Sequence, residues 1–195
     1  MNSSAPIVGA IREGEAPAKP GRNTPADTGI GNRCKGKMMA LKARTVLNDC
    51  REAHMLLEAE LDTVRFRILW VAGVALLRAV GHVLKKVDAE PGSTVEVAVA
   101  DAYDEWQRER AAHVIFWDFI EKERNNVLKE YQIGFFPGPV NVSVHPGGET
   151  FFLDENLFCP IPYGRFAGED CRDVMAEAIA WWERQLDAIE TAAGA

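Results

Sequence analysis

Apolar residues recur at steps of three and four from about Met39 to Leu61, which is the period of an α-helix with one buried face. We therefore predict a first helix over this range. Its apolar seam comprises Leu47, Cys50, His54, Leu57 and Leu61. A histidine on such a seam is more often a core residue with a hydrogen-bond partner than a catalytic one, and we interpret His54 in that way.

A second helix is predicted from Val64 to about Val87, because Asp62 and Thr63 can cap its start and the breaker "AEPGS" follows its end. Its apolar stripe contains Gly73, and Gly81 lies farther along the same helix. Glycine is costly inside a helix unless another helix approaches closely. We therefore expect tight helix packing at both glycines.

The longest helical pattern extends from Thr94 to Tyr131, with Gly134 as the stop signal behind it. We predict one long helix there, straight or kinked. Its stripe carries Arg110 and Arg124 among aromatic and aliphatic residues. Two arginines on an apolar stripe are unusual, because burying a guanidinium without a partner is expensive.

The stretch "PVNVSVHPGGETFFLD" (139–154) alternates valine with polar residues, turns at "HPGGE" and continues as a second short run. This pattern predicts a β-hairpin, with His145 as a surface residue of its turn. Helical spacing returns from about Asp170 to Ala192 and predicts the last helix.

The four predicted helices and the hairpin indicate a mainly α-helical fold, an up-and-down four-helix bundle with a short β-hairpin inserted before the last helix. Trp181 and Trp182 are adjacent on that helix, so we expect only one of them to face inward. The other is predicted to contribute to an interface, where tryptophan is favoured.

Residues 1–37 are rich in Gly, Pro, Ala and small polar residues and show no apolar periodicity. Such a segment cannot bury enough apolar surface to offset its ordering entropy, so we predict a disordered extension. One helical domain is predicted over residues 38–195. The physiological start is at Met1 or at the pair Met38-Met39, and the sequence leaves both open.

The net charge of −7 makes the whole molecule a poor nonspecific binder of nucleic acid. The charge is unevenly distributed, however. The segment from Thr63 to Val87 has no acidic residue but contains Arg65, Arg67, Arg78, Lys85 and Lys86, whereas the segment from Phe166 onward is strongly acidic. The average charge therefore hides an asymmetry between these two segments.

The cysteines show no metal-ligand spacing and follow no secretory signal; they are Cys34, Cys50, Cys159 and Cys171. We expect reduced thiols in a cytoplasmic protein, with no metal and no cofactor. The most apolar run, residues 68–77, is bounded by Arg67 and Arg78 and is shorter than the roughly 20 residues that cross a bilayer. No membrane association is predicted.

Candidate chemistry is concentrated in "ERNNVLKEY" (123–131), where Arg124 is followed directly by Asn125 and, five positions after the arginine, by Lys129. This motif, with the upstream segments "VRFRILWVAGVALLRAVGHVLKKV" (64–87) and "YDEWQRERAAHVIFWDFIEKERN" (103–125), resembles the HEPN superfamily of small α-helical domains. The resemblance covers about residues 40–135. The family signature is Arg, a polar residue that is often Asn, several spacers and then His, and here Lys129 stands at the histidine position.

The resemblance implies a HEPN-type bundle, a homodimer in which two arginine-bearing helix ends face each other, and metal-independent RNA cleavage by a ribose 2′-hydroxyl. Arg124 would meet the charge on the phosphoryl oxygens, and Asn125 would orient the phosphate or hold Arg124. Lys129 can stabilise charge but is protonated near neutral pH, so it is a poor proton acceptor. His82 and His113 lie on flanking helices, away from the end of the Arg-Asn helix.

These residues predict a catalytically degenerate RNA-binding or regulatory module of a defence or toxin-type system, with RNA or a protein as possible partner. Two alternatives stay open. One is an active metal-independent endoribonuclease. The other is a structural or interaction bundle with no nucleic-acid role, in which Arg124 pairs with a carboxylate such as Asp104 or Asp118.

Overall fold

The computed structural model describes residues 41–144, 146–154 and 156–194. The predicted disordered extension (1–37), with Cys34 and the alternative starts at Met38-Met39, lies outside the described residues, as does His145. Our expectations for these positions stay predictions.

The described residues contain five α-helices and one two-stranded antiparallel sheet, so the fold is mainly helical with a short hairpin. In chain order these elements are α1 (Lys42–Glu58), α2 (Thr63–Val83), α3 (Thr94–Arg108), α4 (Lys122–Asn125), β1 (Val140–Val144), β2 (Glu149–Leu153) and α5 (Cys171–Ala193). Three π-helical segments accompany the helices: Leu84–Asp88 prolongs α2, Ile115–Glu121 precedes α4, and Asn126–Glu130 follows it. Residues 115–130 thus form one continuous helical rod, called the 115–130 helix below.

Helix α5 is the centre of the fold, in contact with α1, α2, α3 and the 115–130 helix. Both of its adjacent tryptophans are buried, with Trp181 3% and Trp182 0% exposed. The prediction that one of them faces outward was therefore wrong. The reason is that α3 places Trp106 against both indoles, with ring centroids 4.9 Å from Trp181 and 5.8 Å from Trp182.

Helix α2 starts as its sequence predicts, since the Asp62 carboxylate accepts a hydrogen bond from the Arg65 backbone N–H at 2.9 Å. The tight packing expected at its glycines is confirmed. A Cβ atom added at Gly73 would lie 2.7 Å from Met175 Cε, and one added at Gly81 would lie 3.0 Å from Trp182 Cη2. Both close approaches bring α2 against α5.

The apolar seam of α1 is mostly confirmed, since Leu47, Cys50 and Leu57 are buried. Leu61 lies beyond the end of the helix and is 64% exposed, so its assignment to the seam was wrong. The His54 ring Nε2 lies 3.0 Å from the Arg172 carbonyl oxygen, which supports its interpretation as a half-buried histidine with a hydrogen-bond partner.

The long third helix is interrupted, which the sequence pattern did not predict. α3 ends at Arg108, and the chain turns before the 115–130 helix begins. The Trp117 indole N–H donates to the Trp106 carbonyl oxygen at 3.0 Å, and the exposed Arg110 guanidinium stacks on the Trp117 ring at 4.1 Å. The predicted end at Tyr131 is confirmed, since the helical residues run to Glu130 and Tyr131 has a left-handed φ of 52°.

The predicted hairpin is confirmed, with Val140 opposite Leu153 and Val142 opposite Phe151. Within the described chain it packs against none of the helices. The segment between the 115–130 helix and β1 returns to the core through Phe135, whose ring centroid lies 5.1 Å from that of Phe66 on α2.

Candidate anion-binding site

Arg124 lies on the 115–130 helix, half-buried, and one of its terminal amino groups donates to the Asn125 side-chain oxygen at 2.8 Å. Its Nε is buried and has no hydrogen-bond acceptor among the described residues. Neither Asp104 nor Asp118, the carboxylates considered as partners from the sequence, forms an ion pair with it. Asn125 therefore orients a guanidinium that keeps donors free for an anion.

Arg78 of α2 faces the same helix, with a terminal nitrogen 3.9 Å from a carboxylate oxygen of Glu121. Glu121 precedes Arg124 by three positions, which places the two residues next to each other on one helical face. The Arg78 Nε is also buried without an acceptor in the described part of the chain. Glu121 thus pairs with Arg78 at a long distance and forms no ion pair with Arg124.

His82 follows Arg78 by one helical turn on α2. Partial burial lowers the pKa of its imidazole below the ordinary value of 6.5, and the positive charges of Arg78, Arg124 and Lys86 lower it further. We call Arg78, His82 and Arg124 the basic cluster. The helical spacing on α2 could have suggested the first two together, but their approach to Arg124 depends on how α2 packs on the 115–130 helix.

Lys129 is exposed and makes no hydrogen bond or ion pair with the residues that the structure describes. It lies in the π-helical segment Asn126–Glu130, whose turn is one residue wider than an α-helical turn. Of the three residues predicted from the family motif, Arg124 and Asn125 contact each other and Lys129 stands apart. π-Helical turns are frequent at functional sites, and α4 with the Arg-Asn pair lies between two of them.

A groove of about 560 Å³ extends from the basic cluster along the C-terminal end of α2 and across to α3. We call it the α2–α3 groove. One wall carries Arg78, His82, Lys85 and Lys86, the other carries Tyr103 and Asp104, and Trp106, Phe116 and Trp182 also line it. The sequence showed the basic residues, but nothing in its pattern predicted that an aromatic surface lies beside them.

The other described histidines do not join this site. His113 is 9% exposed, and its Nδ1 accepts a hydrogen bond from the Trp181 indole N–H at 3.2 Å. This contact makes His113 a core residue between α3 and α5. Of the flanking histidines that the sequence offered, only His82 is near Arg124.

Glu123 is adjacent to Arg124 in the chain but belongs to a different surface. It is 7% exposed and accepts hydrogen bonds from the Trp70 indole N–H at 3.3 Å and from the Gly134 backbone N–H at 2.8 Å. Burial raises the pKa of this carboxyl, while the hydrogen bonds from Gly134, Trp70 and Asn126 oppose the rise. Glu123 therefore holds the chain after the 115–130 helix and does not neutralise the basic cluster.

The acidic C-terminal helix has its own cationic partners. Arg44 of α1 forms ion pairs with Glu183 at 2.6 Å and with Glu190 at 2.8 Å, and a shorter one with Asp187. These carboxylates are thus bound to Arg44 of α1, and none of them forms an ion pair with Arg124. The negative net charge of the chain does not cancel the local charge of the basic cluster.

Comparison with protein-family models, with curated proteins and with solved structures finds no match. Among the described residues, no group of three or more His, Cys, Asp or Glu side chains is arranged to hold a metal ion. Cys50, Cys159 and Cys171 are free and buried.

One helix in the described chain, Thr63–Asp88, is long and apolar enough to cross a membrane by length and composition alone. About a third of its most apolar window is buried inside the fold, including Phe66, Trp70 and Leu77. A single helix of this length and composition is weak evidence for a membrane span.

Proposed function

We propose that this chain is a HEPN-like helical protein that acts as a catalytically degenerate RNA-binding or regulatory module of a defence or toxin-type system in the cytoplasm. The observation that carries the proposal is the guanidinium of Arg124, oriented by Asn125 and without an acidic partner among the described residues. Arg78 adds positive charge nearby, and His82 lies beside both guanidiniums. A phosphodiester supplies the oxygen acceptors and the negative charge that this cluster lacks.

The degenerate character rests on Lys129, which stands at the position of the family's histidine and is exposed. A lysine ammonium group donates hydrogen bonds and has no lone pair with which to accept a proton. Lys129 can attract a phosphate but cannot take the proton of a ribose hydroxyl. Binding without rapid cleavage is the expected behaviour.

An active metal-independent endoribonuclease is the second candidate, and His82 is the observation that favours it. In this reaction the 2′-oxygen forms a bond to phosphorus, the bond from phosphorus to the 5′-oxygen breaks, the 2′-hydroxyl proton passes to the base, and the leaving oxygen takes a proton from water. Burial first, and then the positive charges of Arg78, Arg124 and Lys86, lower the pKa of His82, which favours the neutral imidazole that can accept that proton. Arg124 would stabilise the phosphoryl charge.

Binding of a mixed single-stranded RNA to the full chain, measured by fluorescence anisotropy at several salt concentrations, tests the first proposal. We expect the affinity to fall as salt rises, because each neutralised phosphate releases bound counterions. A salt-independent or undetectable interaction would contradict RNA binding and favour an interaction bundle with no nucleic-acid role.

A time course of RNA cleavage without metal separates the two candidates. We expect little or no cleavage by the wild type and a gain of cleavage in Lys129→His, which places a histidine at the position that the family motif gives it. Robust wild-type cleavage that is lost in His82→Gln would instead establish the endoribonuclease.

Titration of His82 provides an independent prediction on the same cluster. Followed by NMR, its pKa in the free protein is expected below 6.5, because of burial and the charges of Arg78, Arg124 and Lys86. A bound phosphodiester favours the imidazolium form, so the pKa should rise when RNA is added, and by linkage RNA should bind more tightly as pH falls from about 8 to 6. An unchanged His82 pKa in saturating RNA would place the phosphates elsewhere.

We further propose a homodimer in which Arg124 of both copies lines one cleft. Leu128 and Tyr131 follow Arg124 at helical spacing and are 53% and 61% exposed, which gives the basic cluster an apolar border. Light scattering at micromolar concentration should give twice the mass of the chain, and Leu128→Glu should give the single mass. A wild-type monomer under these conditions would exclude the shared cleft.

A further inference from the structure

Cys159 and Cys171 lie opposite each other where the chain returns to the start of α5. Pro160 and Asp170 form an antiparallel bridge, so the residue before the first faces the residue after the second. The Cys171 backbone N–H accordingly donates to the Cys159 carbonyl oxygen at 3.0 Å. Opposite residues of an antiparallel pair have Cα atoms about 4.5–5.5 Å apart, which is within the range that a disulfide bridges.

Polar contacts hold the backbone of this cysteine pair independently of the sulfur atoms. The Asp170 carboxylate accepts a hydrogen bond from the Cys159 backbone N–H at 2.9 Å and pairs with the Arg172 guanidinium at 2.7 Å. The Arg172 guanidinium also donates to the Leu157 carbonyl oxygen at 2.9 Å. Because these contacts keep the two thiols beside each other, the sulfur atoms can be joined without a change in the path of the chain.

The two thiols are chemically unequal. A hydrogen bond from the Cys171 side chain lowers the pKa of the Cys159 thiol, and the positive charge of Arg172 acts in the same direction, while burial and the charge of Asp170 oppose them. Burial, followed by the contact with Cys159, raises the pKa of the Cys171 thiol. The thiolate is the reactive form of cysteine, so Cys159 is the nucleophile of the pair.

The chain between the two cysteines, residues 160–170, lies against the 115–130 helix, and we call it the 160–170 loop. Its Phe166 is 8% exposed, and the ring centroid lies 6.1 Å from that of Phe119 on the helix. A cavity of about 350 Å³ is lined by residues of both the loop and the helix. A covalent link between the ends of the loop would restrict its movement relative to this helix.

We propose that Cys159 and Cys171 are a redox modification site, at which a peroxide converts the two thiols into a reversible disulfide that anchors both ends of the 160–170 loop. The inference does not depend on RNA binding, because it uses no residue of the basic cluster. Both cysteines are 0% exposed, so the peroxide reaches them through local opening of the chain, and the reaction is expected to be slow.

The reaction is balanced with one peroxide molecule. The Cys159 thiolate attacks one peroxide oxygen, the O–O bond breaks, and hydroxide leaves, which gives a sulfenic acid. The Cys171 sulfur then attacks the sulfur of the sulfenic acid, the S–O bond breaks, and a second hydroxide leaves. The two thiol protons convert both hydroxides into water. Both sulfur atoms are oxidised, and both peroxide oxygens are reduced.

Peptide mapping of the full chain after treatment with hydrogen peroxide tests the proposal. Trypsin cleaves after Arg165, so Cys159 and Cys171 belong to separate peptides, 130–165 and 166–172, which a disulfide would join. After the remaining thiols are alkylated under denaturing conditions, the monomer isolated without reductant should yield the joined pair, lighter than its parts by the two thiol hydrogens. Recovery of both peptides alkylated, or of either as a sulfinic acid without the link, would overturn the proposal.

Cys50 is the matched control, since it is a buried cysteine of α1 whose thiol pKa is raised to about 12, chiefly by burial. Its peptide, 45–51, should be recovered alkylated from the same digest. Oxidation of Cys50 to the same extent as the pair would show that the peroxide acts on any buried thiol, and the specific site would be wrong.

Two serine variants test the order of attack, and circular dichroism verifies their folding. Cys171→Ser should accumulate on Cys159 a sulfenic acid that dimedone traps, because the second thiol is missing. Cys159→Ser should leave Cys171 unmodified. A dimedone adduct on Cys171 alone would contradict the assigned nucleophile. The formation of the link itself is decided by the peptide map of the wild type.

Hydrogen exchange measures whether the disulfide anchors the loop. The Ile161 N–H donates to the Glu169 carbonyl oxygen, and the Gly168 N–H donates to the Ile161 carbonyl oxygen, both at 2.9 Å. Exchange of these two amides should slow by roughly three-fold or more in the oxidised protein, because linked ends exclude open conformations of the loop. Dithiothreitol should restore the faster exchange, and the amides of α1 should not respond. Equal exchange in both redox states would contradict the anchoring role.

Discussion

Replacing Arg124 with alanine should lower the affinity for single-stranded RNA by about 10- to 100-fold at low salt. A charge-assisted hydrogen bond contributes about 1.5–3 kcal/mol when its partner is present, and each 1.4 kcal/mol is a factor of ten in affinity. Because Arg124 carries free donors next to Arg78 and His82, one lost guanidinium removes the central contact of the cluster. Fluorescence anisotropy at several salt concentrations measures the loss and a shallower salt dependence together.

Arg108→Ala is the charge-matched control for that experiment. Arg108 is an exposed arginine in the last turn of α3 and lies outside the basic cluster and the α2–α3 groove. We expect its removal to change the affinity no more than about two-fold, as for a distant surface charge. Equal losses in the two variants would show that RNA responds only to overall charge, and the assignment of Arg124 would be wrong.

The Arg124 variant should not lose stability. Its guanidinium has a buried nitrogen without an acceptor and lies near other cations, so the folded state gains little from it. Thermal unfolding of Arg124→Ala should therefore occur at the wild-type temperature or above it. A site that is stabilised by removing its central residue is typical of function acquired at the expense of stability.

Replacing Glu123 with alanine should have the opposite consequence, a loss of about 2–4 kcal/mol in the free energy of unfolding. The substitution leaves the Trp70 indole N–H and the Gly134 backbone N–H without their acceptor and opens a cavity in the core. Urea denaturation of the two proteins measures the difference. Glu130→Ala, an exposed glutamate of the same helix, is the control and should be nearly neutral.

The Glu123→Gln variant separates the effect of the negative charge on stability from the effect of the hydrogen bonds. A glutamine oxygen can still accept from Trp70 and Gly134, so this variant should remain near wild-type stability. The pKa of Glu123 is raised above 4.5 in the folded state, so its contribution to stability is present below about pH 4.5 and is lost as pH rises through the folded-state pKa. The free energy of unfolding of the glutamine variant should therefore increase relative to that of the wild type as pH rises above about 4.5. A constant difference would mean that burial does not penalise the carboxylate.

Helical periodicity predicted the main elements where local sequence decides them. The Asp62 cap, the helix behind it and the hairpin register follow from side chains that act within a few residues of each other. The interruption between α3 and the 115–130 helix could not be read in that way, because "QRERAAHV" consists mostly of residues compatible with a helix. At the turn, the Trp117 indole N–H donates a hydrogen bond to the Trp106 carbonyl oxygen. Helical periodicity in the sequence cannot predict such a contact.

The burial of both adjacent tryptophans has a similar origin. A helix that is covered on one side buries one of two neighbouring residues, but α5 is contacted by four other parts of the fold. Trp181 meets His113 and Phe116, while Trp182 meets Gly81 of α2. The sequence shows the apolar stripe of a helix but does not show how many neighbours will cover it.

The candidate site was predictable only in its local part. Arg124 and Asn125 are adjacent, so their contact requires nothing beyond the helix. The approach of Arg78 and His82 depends on the packing of α2 against a helix that lies more than 30 residues farther along the chain. The relation of Lys129 to Arg124 depends on a π-helical turn, for which the sequence offers no strong signal.

The seven-residue π segment Ile115–Glu121 determines the direction in which the later side chains of the 115–130 helix point around the helix axis. A wide turn contains one residue more than an ordinary turn, and each residue advances an α-helix by about 100° around its axis. Deleting a single residue there would preserve the length of the rod to within about 1.5 Å yet swing the Arg-Asn pair away from α2. The extra residue of this π segment takes no part in the proposed chemistry, but it determines whether Arg124 of the 115–130 helix lies next to Arg78 of α2.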